Sequence, residues 1–76
     1  MREFETALNA YQTIAHYFPE SSRVPAALLK IGYIQYEMAA YPEARQTLSD
    51  LLERFPAHRV AVSAETRLKK MDREGR

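Results

Sequence analysis

The chain has 76 residues, 46% of them hydrophobic and 28% charged, with two glycines, four prolines, no cysteine and a net charge of +1. One small domain is all this length supports, and a domain of that size buries only about 60% of the surface its unfolded chain exposes. The near-neutral balance supplies no basic field for a phosphate backbone, the lack of cysteine excludes disulfides and thiolate chemistry, and no apolar run nears the roughly 20 residues that span a bilayer, so neither nucleic acid nor membrane insertion is expected.

The first predicted helix runs from Phe4 to Phe18. Phe4, Ala7, Tyr11, Ile14, Ala15 and Phe18 form one apolar stripe at helical spacing, and Pro19 ends it. Ser22 is expected to cap a second helix that continues through about Ala39 with Pro25 in its first turn. This helix carries two stripes. Val24, Ala27, Leu28, Ile31, Ile34 and Met38 form the one assigned to the core, while Leu29, Tyr33, Tyr36 and Ala40 lie on the opposite side. The third helix, 42–55, reads PEARQTLSDLLERF and aligns Ala44, Leu48, Leu51, Leu52 and Phe55, with Pro42 in its first turn and Pro56 as its stop. A fourth, more polar helix spans about Arg59 to Met71.

A shift of 37 residues superimposes the two halves: YFPESSRVPAA falls on RFPAHRVAVSA, Phe4 on Tyr41, Ala7 on Ala44, Tyr11 on Leu48, and Ile14 on Leu51. A period of this size marks a stacked-repeat architecture, in which each unit is too small to bury its own apolar face. The expected fold is all-α, with four helices in antiparallel hairpins forming a fragment of an α-α superhelix. Residues 1–20 would be the second helix of an incomplete repeat, 22–56 a complete repeat, and 59–73 a capping helix. The cap is expected to face water, because Glu65, Lys69, Lys70 and Arg73 stand where the second helix has Leu28, Gly32, Tyr33 and Tyr36. The first helix lacks a partner on its other side, as expected of a piece of a longer array.

With Pro25 as the first position of a 34-residue unit, Leu28, Ile31, Gly32, Ala44, Leu48 and Pro56 fall on the W-x2-L-G...A-x3-F...P positions of the tetratricopeptide repeat, which the chain resembles. Gln35 stands where an aromatic is expected. The resemblance implies helical hairpins packed through Gly32, Ala44, Leu48, Phe55 and Pro56, small residues at Gly32 and Ala44 letting the helices approach. It also implies a non-enzymatic, cofactor-free module that binds a protein or peptide in a concave groove. Leu29, Tyr33 and Tyr36 would be its contact residues, with Lys30, Glu37, Arg67 and Lys70 around them. A second reading of the same stripe is packing against a further copy, giving a homodimer through helix 1 and the tyrosines. The words FPES and AETRLKKM are similar to the C-terminal repeats of the Tol-Pal YbgF/CpoB family of cell division coordinators, and more distantly to the BamD-type outer-membrane assembly lipoproteins. The former implies a periplasmic location with TolA and the peptidoglycan synthesis machinery as partners.

Catalysis has no foothold in the pattern. His16 and His58 stand 42 residues apart without metal-ligand spacing, and the serines lack a G-x-S-x-G elbow. The basic residues Arg67, Lys69, Lys70, Arg73 and Arg76 fit either an acidic partner or simple complementation of a helix C-terminus. Of the positions at which related repeats clamp a terminal carboxylate, Leu29 and Tyr33 do not fit and only Arg67 does.

Overall fold

A computed structural model describes residues 2–76 and contains four helices: α1 Arg2–Tyr17, α2 Val24–Glu37, α3 Tyr41–Arg54 and α4 Val60–Glu74. Met1, with which the first expected unit begins, lies outside the described residues. Consecutive helices pair as antiparallel hairpins, and α2 is the central element. It packs on α1, α3 and α4, whereas α1 packs on α2 alone. That centrality explains why α2 needs two apolar stripes where the others have one. Among the described residues, no helix is long and apolar enough to cross a membrane.

The core is built from α2, α3 and α4, with Val24, Leu48, Leu51 and Met71 fully buried. Each such side chain contributes about 1.5–3 kcal/mol relative to full exposure. No charged or polar side chain is buried among the described residues, so the interior is held by apolar contact and shape. Gly32 sets the closest approach: a Cβ built there would stand 2.5 Å from Leu48 Cδ2 and 2.8 Å from Leu48 Cγ. Ala44 on the facing helix is also sealed. Two small residues thus bring α2 and α3 together, as the spacing predicts.

Several boundaries differ from expectation for local reasons. Ser22 does not cap α2; the neighbouring Ser21 Oγ accepts the Arg23 N–H at 3.1 Å. One period later His58 Nδ1 accepts the Val60 N–H, also at 3.1 Å, so two chemically different residues stabilise equivalent turns. Helix α2 ends at Glu37, two residues early, because Ala39 adopts a left-handed φ of 61°. The Ala39 and Ala40 N–H groups then return to the carbonyls of Tyr36 and Gln35 at 3.0 and 2.8 Å. Met38 falls in this turn and is 36% exposed, and Ile34 is only half-buried, so the core stripe of α2 effectively closes at Ile31. Helix α4 runs three residues past Met71 and stops where Gly75 takes φ 74°. A glycine meets no Cβ penalty there.

The two repeat halves bury equivalent positions unequally. Ala44, Leu48 and Leu51 of α3 are sealed by α2, while their counterparts Ala7, Tyr11 and Ile14 of α1 are half-buried. Each helix of the α1 kind needs a partner on both sides to close its apolar stripe, and α1 has one.

Candidate functional site

The second stripe of α2 meets α4 on one face of the molecule. Helical spacing puts Tyr33 and Tyr36 one turn apart on α2, and Arg67 and Lys70 one turn apart on α4. The Arg67 guanidinium carbon lies 4.2 Å from the Tyr33 ring centroid and 4.9 Å from that of Tyr36, and Lys70 Nζ lies 5.3 Å from the Tyr36 centroid. Arginine lies flat on an aromatic face and keeps the N–H donors of its edge free for further acceptors, which lysine does less well. Tyr41, opening α3, meets Tyr36 edge-on with centroids 5.5 Å apart. Arg76 reaches back over Tyr41 at 4.5 Å and donates to its hydroxyl.

One carboxylate sits among these cations. Tyr36 OH donates a hydrogen bond to Glu74 Oε1, and Arg76 Nε lies 3.9 Å from the same oxygen. The end of α4 is further tied to α3 by Arg45 and Asp72, which pair at 2.8 Å. The Glu74 hydrogen bond holds the Tyr36 hydroxyl above the usual tyrosine range, with burial adding to the effect. Accepting that bond draws the Glu74 carboxyl below the usual range against an opposing effect of burial, and Lys70, Arg76 and Arg67 assist.

These two shifts set a pH dependence. Glu74 stabilises the fold above its unfolded value and the contribution is lost as pH falls through its lowered folded value; Tyr36 stabilises it below about pH 10 and the contribution is lost as pH rises through its raised value. The melting temperature of the wild type is therefore expected to exceed that of Tyr36→Phe by a margin that is widest near neutrality and narrows toward both extremes. Thermal melts between about pH 3 and 11 check it; a constant margin would mean that the hydrogen bond is not what the hydroxyl contributes.

The site residues anticipated from sequence separate into two groups. Tyr33, Tyr36, Arg67 and Lys70 are brought together. Leu29 and Tyr36, at 9% and 8% exposure, both belong to the core: Leu29 lies beneath the cluster and offers little contact surface, and the Tyr36 ring is covered by Arg67 and Lys70, so Tyr33, Arg67 and Lys70 carry most of the exposed surface. Lys30 and Glu37 are exposed about a quarter turn around α2 from the stripe, and Lys30 lies beside Tyr11 and Ile14 of α1. Tyr41, Glu74 and Arg76 complete the cluster; the sequence singles out Arg76 only as one of the basic residues near the end, and Tyr41 and Glu74 are not anticipated as site residues. The repeat register already places Tyr41 opposite the aromatic Phe4, and Gly75 is a recognisable helix terminator that would have extended α4 to Glu74.

The opposite side of α2 bears an open hollow of about 580 Å³, bounded by α1 and α3 and lined by Gln12, His16, Leu28, Ile31, Gln35 and Thr47 among others. Thr47 Oγ1 donates to Gln35 Oε1 there at 2.6 Å. Among the described residues no three His, Asp or Glu side chains converge as a metal ion requires.

Paired antiparallel helices stacked about a central α2, with a glycine contact inside the pair, define an α-helical repeat protein. Within that class, the family model of the tetratricopeptide repeat matches residues 26–58, from the first turn of α2 to the turn before α4. The fold is that of tetratricopeptide-like helical hairpins, and tetratricopeptide repeats generally mediate protein–protein interaction. No curated protein and no solved structure matches the chain significantly.

Proposed function

We propose that the chain is a non-enzymatic protein-interaction module that takes a segment of its partner across the face shared by α2 and α4. The observation that carries this reading is the cluster of Tyr33, Tyr36, Arg67 and Lys70, in which cations of α4 lie over tyrosine rings of α2, Tyr36 beneath them and Tyr33, Arg67 and Lys70 at the surface. Aromatic and arginine side chains are the types that dominate binding energy at protein interfaces, because they give large contact area at low conformational cost. The words FPES and AETRLKKM and the 37-residue period support a finer assignment to a periplasmic Tol-Pal protein of the cell division machinery, with TolA and the peptidoglycan synthesis enzymes as partners.

Titration of the isotope-labelled chain with the soluble part of TolA tests both levels. Amide shifts confined to Tyr33, Tyr36, Arg67 and Lys70, together with at least tenfold weaker binding by Arg67→Ala, are the expected result. Shifts centred on α1 would overturn the choice of face, and no shifts at all would overturn the Tol-Pal assignment.

Self-association through α1 is the second reading, favoured by the half-buried Tyr11 and Ile14 and by the exposed Tyr17 and Phe18 at the end of that helix. On this reading, as for a partner segment, Tyr36 itself offers little surface, because Arg67 and Lys70 of α4 overlie it. Sedimentation equilibrium separates the two: dimerisation abolished by Tyr11→Glu would support self-association, and a monomer at all concentrations would exclude it.

A further inference from the structure

Three cations from one end of the chain, Arg67 and Lys70 of α4 and Arg76 just past it, lie over the tyrosine rings of α2 and α3, and among the described residues the carboxylate that reaches the Tyr36 hydroxyl there is Glu74, from the last turn of α4. Arg67 and Lys70 lie over tyrosine rings, and neither makes an ion pair with another side chain among the described residues. The Glu74 side chain retains 33% of its exposure and is therefore not locked in place by packing.

We infer that the Tyr36 hydroxyl and Arg76, with Arg67 and Lys70 adding positive charge beside them, form a carboxylate-binding subsite which Glu74 fills from within the chain, and that a partner engages the face by supplying an acidic side chain in its place. The inference rests on the proposed protein-binding role and adds the chemistry of the partner: an extended acidic segment, with at least one Glu or Asp seated on the Tyr36 hydroxyl. The positions differ from those of a terminal-carboxylate clamp, because Leu29 and Tyr33 stand at two clamp positions and the subsite lies toward the ends of α2 and α4.

Two physical consequences follow. A weak intramolecular ligand raises the threshold for binding, since the partner's carboxylate must compete with a group present at high effective concentration. It also sharpens selectivity: a neutral segment cannot repay the loss of the Tyr36 to Glu74 hydrogen bond, whereas an acidic one replaces it with the same bond. A carboxylate held by guanidinium and phenol donors is favoured over a neutral acceptor because charge-assisted hydrogen bonds are roughly twice as strong.

The test uses end-blocked hexaglutamate, with hexaglutamine as the neutral probe, followed by fluorescence anisotropy at about 20 and 150 mM salt. Glu74→Ala is expected to bind hexaglutamate at least fivefold more tightly than the wild type, hexaglutamine not at all, and the added Arg67→Ala change to remove the gain. In the wild type, saturating hexaglutamate is expected to raise the Glu74 carboxyl titration toward its ordinary value, read by carbon NMR, which tests displacement even if Glu74→Ala folds poorly. Equal affinity of wild type and Glu74→Ala, or an unmoved Glu74 titration, overturns the subsite. That failure leaves the shared face open to a partner of other chemistry, whereas a partner that shifts α1 residues overturns the proposed face while the hexaglutamate result stands on its own.

Discussion

Leu48→Ala is expected to cost about 2–5 kcal/mol, because a fully buried leucine at the α2–α3 contact leaves both lost transfer energy and a cavity. A domain of this length has about 4–11 kcal/mol of total stability, so the single change brings the chain near its unfolding threshold. The glycine opposite makes the result diagnostic. Gly32→Ala alone adds a Cβ within 2.8 Å of Leu48 Cγ, and overpacking of about 1–3 kcal/mol outweighs the roughly 1 kcal/mol of helix propensity that alanine gains. In the Leu48→Ala background the clash is gone and the added methyl enters the void. Gly32→Ala is then expected to be neutral or stabilising by up to about 1 kcal/mol, so the two changes cost clearly less together than their sum. Urea melts of the four variants measure this, provided the slope m is unchanged. Additive costs would mean that Gly32 is required for some reason other than Leu48.

Met71→Ala is expected to cost a similar 2–5 kcal/mol, but through a different element. Met71 is the fully buried anchor of α4, and α4 carries Arg67, Lys70 and Glu74. Its truncation should therefore lower partner affinity without removing any contact residue, and hydrogen exchange should show α4 amides opening before those of α2 and α3. Val62→Ala on the same helix is the control: at 69% exposure it should change stability by no more than about 0.5 kcal/mol. If exchange accelerates equally in all helices, α4 does not open as a unit.

The helices and their pairing were legible in the sequence because proline and apolar spacing punctuate them: Pro19 and Pro56 close two helices, and the 37-residue period aligns Ala7 with Ala44 and Tyr11 with Leu48. Gly32 was legible through the resemblance to the tetratricopeptide pattern, which puts small residues at Gly32 and Ala44 where the two helices approach. The candidate site was half legible. Periodicity places Tyr33 and Tyr36 on one side of α2, yet it does not say whether such a side meets water, a partner or the chain's own helix. The answer depends on Arg67 and Lys70 arriving from α4, a tertiary relation between residues more than thirty apart in sequence. Ser21 and His58 show a further limit: an acceptor two residues upstream of a helix N–H was supplied once by a hydroxyl and once by an imidazole, and no residue-type rule links them.

The restriction of α1 to a single neighbour bears on how the chain folds. Contacts run between helices adjacent in the chain, apart from those of α2 with α4, which places the protein among topologies with short loops to close and rapid folding. The α2–α3 hairpin, with its glycine contact, is the natural nucleus, and α1 and α4 then add to it as separate wings. Changes at Tyr11 should accordingly speed unfolding and leave the folding rate almost untouched, whereas changes at Leu48 should slow folding itself.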